Sequence, residues 1–386
     1  MAQWTQYSGK WNLQTQGQAA GAFTWPGATA PTYLYLWGQN SSGQLGLGDT
    51  TNRSSPVQVG SEGWTGYAIA ATSSFGLKPN GTLWNWGATD NARAGRGAGA
   101  TPVSSPVQIG ALTNWLKIAS HTYGGVTVKT DGTLWTWGVN AQGQLGDGTT
   151  TVRSSPVQVG ALTDWSIPAG GNRHCFCIKT DGTLWSWGQN YYGQLGVGNT
   201  TDRSSPVQVG ALTDWIKVAG GYGWTFAKRT NGTIWSWGYN NHGQLGQGNT
   251  TNLSSPVQVG ALTTWSDISV GYACSFAVKT DGTLWSWGNN GQGQLGQGNI
   301  TKYSSPVQVG ALTDWQSVSS VAHNCIALKT DGTLWIWGRN NEGQVGDGTT
   351  TNRSSPVQVG SLTTWSNEMM DSSAASFSIG GFLTGS

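Results

Sequence analysis

The chain has 386 residues, of which only 9% are charged, and its formal net charge is +2. This composition excludes a mainly electrostatic nucleic-acid binder, which needs a strong basic excess, and a disordered, highly charged chain. The 60 glycines and 24 tryptophans indicate many turns and large buried aromatic surfaces, and therefore short strands around a packed core.

The first 30 residues form a predicted N-terminal arm that lies outside the repeats described below. The arm lacks the basic-then-apolar pattern of a signal peptide, and no apolar stretch of the chain is long enough for a transmembrane helix. An arm this short cannot bury large apolar side chains alone, so we expect it to dock on the rest of the chain or, preferably, on a partner. The residues expected to make that contact are Trp4, Trp11, Leu13, Trp25 and Pro26.

Residues 31–386 form a second predicted unit, which repeats itself with a period of 50. The heptapeptide SSPVQVG or SSPVQIG begins at Ser54, Ser104, Ser154, Ser204, Ser254, Ser304 and Ser354. Within a unit such as GVTVKTDGTLWTWG a strand, an Asp-Gly turn and a second strand follow one another, and Asp-Gly is a strong hairpin signal. Segments rich in small residues, such as KVAGGYG, suit strands near a central axis. The repeats predict an all-β fold, a seven-bladed β-propeller with four-stranded blades.

The two ends of the repeat region are incomplete in complementary ways. The first copy begins near TYLYLWGQN and lacks its front half, whereas the last copy lacks its back half. In the last copy Phe377 matches Phe276 of an earlier unit, with one inserted residue. We therefore expect the N- and C-terminal strands to share one blade and close the ring, which removes two sheet edges.

The second unit departs from the others at ARAGRG (Ala92–Gly97), where most other units read GQLGxG. Arg93 replaces the glutamine, Ala94 replaces the leucine, and Arg96 follows. The loss of a buried leucine should weaken packing. We expect a partner, such as a neighbouring subunit, to cover this position and contact Arg93 and Arg96; the alternative is a degenerate blade that its neighbours tolerate.

The tips between WG and GQLG vary most between units and should recur at one level of the ring. The hypothesis is a contact face centred on Tyr191, Tyr192, Tyr239 and His242, whose rings could stack on a sugar or anchor a protein. The alternative is sequence drift at exposed turns.

The remaining polar residues predict no catalytic site, cofactor or metal. An aspartate follows each turn lysine two residues later, so these lysines are interpreted as a solvated face with cancelling charges: Lys129, Lys179, Lys279 and Lys329. The histidines lack metal-ligand spacing, and Cys175 and Cys177 are expected to pack rather than form a redox pair. Four scattered cysteines indicate a reducing compartment. Near-interchangeable units offer no asymmetric constellation for catalysis, so we expect no enzyme activity.

The string DGTLWSWGQNYYGQLGVG resembles the repeat of the regulator of chromosome condensation family, whose pattern is Asp-Gly, strand, Trp-Gly-x-Asn-x-x-Gly-Gln-Leu-Gly. The resemblance covers about residues 31–383 and implies a seven-bladed propeller. Founding members of that family exchange nucleotide on a small GTPase and bind chromatin. We do not transfer these roles, because the chain has neither a long insertion that could act as a wedge nor a basic tail.

The segment YSGKWNLQTQGQAAGAFTWPG (Tyr7–Gly27) resembles an N-terminal segment of structural proteins from tailed bacteriophages. The resemblance implies a non-enzymatic virion protein (a head decoration, fibre or tail-associated subunit) that is assembled in the host cytoplasm. Its expected partners are capsid or tail proteins, with a host-surface glycan or protein and a homo-oligomer left open, and neither nucleic acid nor membrane is expected. The alternatives are a cytoplasmic partner-binding regulator of the chromosome condensation type and a glycan-binding module for host attachment.

Overall fold

The computed structural model describes residues 32–366 and 378–384, and their regular structure is almost entirely antiparallel β-sheet. Within these ranges the one helical element is a short 3-10 turn, Asp90–Ala92. The prediction of an all-β propeller is confirmed.

Six blades are each built from four consecutive strands that pair in chain order. Blade 1 contains β3 (Gly66–Ile69), β4 (Ser73–Leu77), β5 (Leu83–Gly87) and β6 (Val103–Gln108). Blade 2 contains β7 (Trp115–His121), β8 (Gly124–Lys129), β9 (Leu134–Gly138) and β10 (Arg153–Gln158). Blade 3 contains β11 (Trp165–Gly170), β12 (His174–Lys179), β13 (Leu184–Gly188) and β14 (Arg203–Gln208).

Blades 4 to 6 repeat this arrangement with strands of similar length. Blade 4 contains β15 (Trp215–Gly220), β16 (Trp224–Arg229), β17 (Ile234–Gly238) and β18 (Leu253–Gln258). Blade 5 contains β19 (Trp265–Val270), β20 (Cys274–Lys279), β21 (Leu284–Gly288) and β22 (Tyr303–Gln308). Blade 6 contains β23 (Trp315–Val321), β24 (Asn324–Lys329), β25 (Leu334–Gly338) and β26 (Arg353–Gln358).

The predicted count of seven blades is corrected to six blades of this kind and one composite closing sheet. The closing sheet contains β1 (Thr32–Gly38), β2 (Arg53–Gln58), β27 (Trp365–Ser366) and β28 (Ser378–Thr384), in the order β2-β1-β28-β27. It takes two strands from each end of the described chain, and β27 contributes only two residues. The heptapeptide gave the count of seven because β2 of the composite sheet carries a copy of it as well.

The closing sheet joins the first and last blades into a ring. β1 and β28 pair along their whole length, from Thr32↔Thr384 to Gly38↔Ser378. Trp37 packs into the core of blade 6, while Leu36 packs into the core shared with blade 1. The ring is therefore closed by main-chain pairing within the sheet and by apolar packing on both of its sides.

The loop that carries the Gly-Gln-Leu-Gly element in most units joins one sheet to the next. The indole Nε1 of Trp187 in blade 3 donates to the main-chain oxygen of Gln144 in blade 2, at 3.0 Å. A Cβ atom on Gly146 would lie 2.8 Å from the ring of Trp187, so only glycine lets the loop approach this closely. The repeated motif is thus explained by contact between sheets.

The first strands of neighbouring blades contact one another around the axis. A Cβ atom on Gly170 would lie 2.2 Å from the main-chain oxygen of Ser120, and one on Gly220 would lie 2.8 Å from the Cα of Gly171. Such crowding leaves no room for larger residues, as expected for the segments rich in small residues.

The ring has two faces, because consecutive connections in an antiparallel sheet alternate between its ends. We call one the loop face; it carries the connection between the first and second strands of each blade and that between the third and fourth. The opposite turn face carries the Asp-Gly turns and the segments between blades. β1 occupies the position of a third strand, so Thr32 lies at the turn face.

Candidate partner-binding surface

Three of the predicted contact residues form one cluster on the loop face. Tyr191 and Tyr192 follow β13 and are perpendicular to each other, with ring centroids 4.9 Å apart. Tyr192 also contacts Tyr239, which follows β17 in the next blade, at 4.5 Å. Tyr191 is 71% exposed, whereas Tyr192 is half-buried beneath its neighbours. The structure therefore brings these tyrosines together across the boundary between blades 3 and 4.

The fourth predicted residue, His242, lies at the tip of blade 4. Its Nδ1 is 3.4 Å from the Nζ of Lys302 in blade 5. Burial and the nearby Lys302 ammonium lower the pKa of His242 below its ordinary value. The imidazole is therefore neutral at pH 7 and bridges two blades at the rim of the loop face.

A second aromatic row lies beside the cluster, and the sequence analysis missed it. Tyr222 and Tyr272 have ring centroids 5.5 Å apart, and Tyr272 lies 4.8 Å from His323. A Cβ atom on Gly223, next to Tyr222, would lie 2.8 Å from the ring of Tyr192, so the two rows lie side by side. Burial, followed by the nearby Tyr239, Tyr222 and Tyr191, raises the pKa of Tyr192. The available signal was the recurrence of tyrosine 50 residues apart in segments otherwise rich in small residues.

Arg93 is used inside the protein. Its side chain is only 4% exposed and forms an ion pair with Asp90, with Nη2 at 2.5 Å from Oδ2. It also donates to Thr72 Oγ1 at 2.5 Å and lies 5.4 Å from the ring of Tyr123. Arg173 lies 5.6 Å from the same ring. The guanidinium of Arg93 therefore makes its contacts within the chain in this structure. Its contact with a partner stays a prediction.

Arg96 is half-buried and lines a groove on the outer side of the ring between blades 1 and 2. Its Nε donates to Asn85 Oδ1 at 3.1 Å, and Nη2 donates to the main-chain oxygen of Thr101 at 2.6 Å. The neighbouring Ala94, which replaces the leucine of the other units, is buried. Arg96 therefore lies at a surface that a ligand can reach, and its contact with a partner stays a prediction.

The interpretation of the turn lysines as a solvated face is wrong. Lys129 is 5% exposed, and its Nζ lies 4.6 Å from the ring of Trp115 and 3.7 Å from that of Trp135. Lys179, Lys279 and Lys329 lie between equivalent pairs of tryptophans. The tryptophan that opens the first strand and one in the third strand enclose the lysine, an arrangement typical of cation–π contacts.

The buried histidines and cysteines are uncharged at pH 7. Burial lowers the pKa of His121 to about 4 and that of His174 to about 3, so both are neutral at pH 7. Burial also raises the pKa of all four cysteine thiols, which are free. Within residues 32–366 and 378–384, no group of three or more His, Cys, Asp or Glu side chains is placed to hold a metal ion.

The arm residues Trp4, Trp11, Leu13, Trp25 and Pro26 lie outside the described residues, so their contacts stay predictions. In the described part of the chain, no helix has the length and apolar character needed to cross a membrane.

Comparison with curated proteins finds relatives that share about a third of this chain. Human E3 ubiquitin-protein ligase HERC2 is 32% identical over 124 residues, which are 30% of this chain and 2% of that protein. The ultraviolet-B receptor UVR8 of Arabidopsis thaliana is 32% identical over 137 residues, which are 34% of this chain and 30% of that protein. The match thus spans less than a third of either relative.

Solved structures match over nearly the whole chain. Prp20p from Saccharomyces cerevisiae has a TM-score of 0.80 at 18% identity, with 92% of each chain covered. Human WBSCR16 has a TM-score of 0.79 at 17% identity, with 92% of this chain and 99% of that chain covered. At these identities the likeness shows the shared fold.

The family comparison covers most of the chain. The regulator of chromosome condensation (RCC1) repeat matches six stretches, namely 33–73, 131–178, 181–227, 231–278, 281–328 and 331–379. The divergent unit with Arg93 lies between the first two stretches. The chain therefore belongs to the family of regulator of chromosome condensation (RCC1) repeat proteins.

Proposed function

We propose that the chain is a non-enzymatic protein-binding propeller whose loop face carries the contact surface. The observation that carries this proposal is an aromatic patch on one side of an otherwise repetitive ring. This tyrosine patch consists of Tyr191, Tyr192, Tyr239, Tyr222, Tyr272 and His323. At the positions of Tyr191, Tyr192 and Tyr222, blade 2 has Ala141, Gln142 and Thr122.

The chemistry of the tyrosine patch suits a protein partner. Tyrosine supplies a large contact area at low conformational cost and is enriched among the residues that dominate binding energy. The rings already pack against one another, so little side-chain freedom remains to be lost on binding. Tyr191 is the most exposed ring of the first cluster and is therefore the expected anchor.

Relatives in the family support binding to proteins as the class of activity. The structural work on Prp20p concerns its binding properties to Gsp1p and histones, and another structure shows yeast RCC1 bound to Kap60. Those partners belong to those proteins. For this chain we propose the general role of a partner-binding regulator, with the partner to be identified by experiment.

The test uses the full chain as bait in an extract of the organism that encodes it, with quantitative mass spectrometry. The double variant Tyr191→Ala with Tyr239→Ala removes the exposed anchor and the ring that packs against Tyr192 from the next blade, and Gln142→Ala is the matched control at the tip of blade 2. A genuine partner should be recovered equally by wild type and control, and at least tenfold less by the double variant. Equal recovery by all three proteins would contradict the proposal.

A virion role is a second proposal, supported by the segment Tyr7–Gly27, the near-identical repeats and the low charge. In this role the arm attaches the chain to a capsid or tail protein and the propeller is displayed outward. Deletion of residues 1–28 should then abolish incorporation into particles, as measured by the protein content of purified virions. Normal incorporation of the deletion variant would remove this role.

Glycan binding for host attachment is supported by the exposed ring of Tyr191, because an open aromatic face can stack on a sugar. A glycan array probed with the purified full chain distinguishes this role from protein binding. Signal that depends on Tyr191 would favour the glycan, and the absence of signal would leave the protein partner as the better proposal.

A further inference from the structure

Blade 4 breaks the apolar pattern of its second strand at one position, Lys228. The equivalent side chains of the other five blades are aliphatic and at most 2% exposed, namely Leu77, Val128, Ile178, Val278 and Leu328. Lys228 is half-buried, so its ammonium lies at the edge of a site that the fold otherwise fills with hydrocarbon. A residue that breaks the pattern of its fold in this way is typical of a functional position.

A second lysine lies directly opposite the first. Lys217 of β15 is the cross-strand partner of Lys228 of β16. In blade 2 the same pair consists of Lys117 and Val128. Like charges directly opposite each other destabilise a sheet. The pairing of Lys217 with Lys228 therefore costs stability unless negative charge compensates both ammonium groups.

One carboxylate lies between the two lysines. Lys217 Nζ is 2.6 Å from Oδ1 of Asp267 in blade 5, and Asp267 Oδ2 accepts a hydrogen bond of 2.9 Å from the amide of Val318 in blade 6. Lys228 Nζ donates to the main-chain oxygen of Ser266 at 2.7 Å. Both ammonium groups thus contact consecutive residues of β19. We call Lys217, Lys228 and Asp267 the lysine cluster, and it carries one positive charge in excess.

The lysine cluster lies at the end of the ring axis that belongs to the turn face. Lys217 and Asp267 are each the third residue of a first strand, and the first strands begin at the turn face and contact one another around the axis. The side chain of Lys217 is 41% exposed and that of Asp267 is 16% exposed. A small solute can therefore reach the Lys217 ammonium from solvent, beside the half-buried Lys228.

Burial, opposed by the Asp267 carboxylate and reinforced by the Lys217 ammonium, lowers the pKa of Lys228 below its ordinary value. The charged form of Lys228 is thus held at a cost in this environment. An added anion would reduce that cost, because it would offset the excess positive charge.

We propose that the lysine cluster is an anion-binding site that takes the phosphate group of a small ligand, either free phosphate or a phosphate monoester. A lysine ammonium is a compact point charge with three donors and is a common ligand of phosphate. A phosphate dianion can accept hydrogen bonds from Lys217 and Lys228 together, and its charge offsets the repulsion between them. The site lies on the face opposite the tyrosine patch and is independent of the proposed partner surface.

The experiment measures the thermal midpoint of the full chain while inorganic phosphate replaces chloride at constant ionic strength. A ligand that binds only the folded state raises the midpoint as its concentration increases. Lys228→Val removes one ammonium and introduces the residue that blades 2 and 5 carry at this position. Lys117→Met is the matched control, because Lys117 occupies the position of Lys217 in blade 2 but has Val128 as its cross-strand partner.

Phosphate should raise the midpoints of wild type and Lys117→Met alike, whereas the apparent affinity of Lys228→Val for phosphate should be at least tenfold weaker. In chloride alone Lys228→Val should be at least as stable as wild type, because it removes the pair of like charges. Equal phosphate responses in all three proteins would overturn the proposal, since they would reflect the general stabilisation that phosphate gives as a salt. The absence of a response in wild type would also overturn it and would leave Lys228 as a tie between blades 4 and 5.

Glycerol 3-phosphate, used as a probe in the same assay, distinguishes the two sources of the phosphate group. Tighter binding of this probe than of inorganic phosphate would assign the site to a phosphate monoester. Weaker binding would assign it to the free ion. In either case the response should be lost in Lys228→Val, and a response that persists in this variant would contradict the site.

Discussion

The indole Nε1 of Trp137 in blade 2 donates a hydrogen bond of 3.0 Å to the main-chain oxygen of Arg93 in blade 1. At the equivalent boundaries the acceptor is the main-chain oxygen of a glutamine, as between Trp187 and Gln144. Because the acceptor belongs to the backbone, the replacement of glutamine by arginine leaves this bond intact. The divergent unit thus remains joined to its neighbour in the same way as the other units.

We expect Trp137→Phe to lower the free energy of unfolding by about 1–3 kcal/mol, because the main-chain oxygen of Arg93 would lose its partner inside the core. Chemical denaturation of the full chain measures the change. The control is Trp135→Phe, since Trp135 is half-buried and donates only to the nearby hydroxyl of Thr133. Similar losses in the two variants would show that the bond between blades has no special weight.

Two glycines with similar backbone angles should respond differently to alanine. Gly143 has φ +75° and a Cβ there would lie 2.5 Å from the Cα of Ser204, whereas Gly160 has φ +61° with no atom within 4 Å. Gly160→Ala should cost about 1–2 kcal/mol for the left-handed conformation alone. Gly143→Ala must also displace backbone of the next blade, so its thermal midpoint should fall clearly further. Equal midpoints would contradict the close approach.

The sequence predicted the elements that depend on local pattern or on the repeat, and it missed side-chain contacts between different strands. The Asp-Gly turns and the pairing of the terminal strands follow from the repeat itself. The burial of Lys129 does not, because Trp115 and Trp135 come from different strands and only the pairing of the sheet encloses the ammonium. The pairing of each lysine with the aspartate of its turn therefore gave a wrong prediction, a solvent-exposed position, for Lys129.

The candidate surface was predicted only in part, because some of its residues lie in segments whose position is set by the fold and not by the local pattern. The variable tips gave Tyr191 and Tyr192 directly, since exposed turns that differ between units are visible in the sequence. Tyr222 and Tyr272 were missed because they lie in segments that the repeat assigns to the crowded axis. Only the structure shows that these segments reach the loop face, where the residue after Tyr222 lies against Tyr192 and Tyr222 packs against Tyr272.

The lysine between two tryptophans should contribute to stability through its charge. Lys279 lies 5.3 Å from the ring of Trp265 and 3.8 Å from that of Trp285. Lys279→Met keeps the length of the side chain and removes the charge, so the free energy of unfolding should fall by about 0.5–2 kcal/mol. Lys117→Met, at an exposed position, is the control and should leave stability unchanged. A neutral result for Lys279→Met would mean that apolar packing alone fills this position.

Acid should weaken the fold through the buried histidines before most carboxylates titrate. Burial lowers the pKa of His174 to about 3 and that of His121 to about 4, from an ordinary value of 6.5. Below pH 6.5 the unfolded chain takes up protons that the folded chain refuses, so stability falls with decreasing pH from 6.5 toward 4. Each histidine contributes a slope of about 1 kcal/mol per pH unit.

The variant His174→Asn isolates this effect, because asparagine is the natural residue at the equivalent position of blade 6, Asn324. Denaturation midpoints measured from pH 7 to pH 4.5 should show a shallower loss of stability for the variant than for wild type. Parallel curves would indicate that His174 takes up a proton in the folded state within this range.

The closing sheet has a consequence for how the protein is made. During translation β1 emerges before any blade exists, but the strand that completes its main-chain hydrogen bonds, β28, emerges after all six blades. An unpaired strand edge invites association with other chains. The nascent polypeptide therefore exposes the unpaired edge of β1 for nearly the whole of its synthesis. The risk of association with other chains ends only when β28 has left the ribosome and paired with β1.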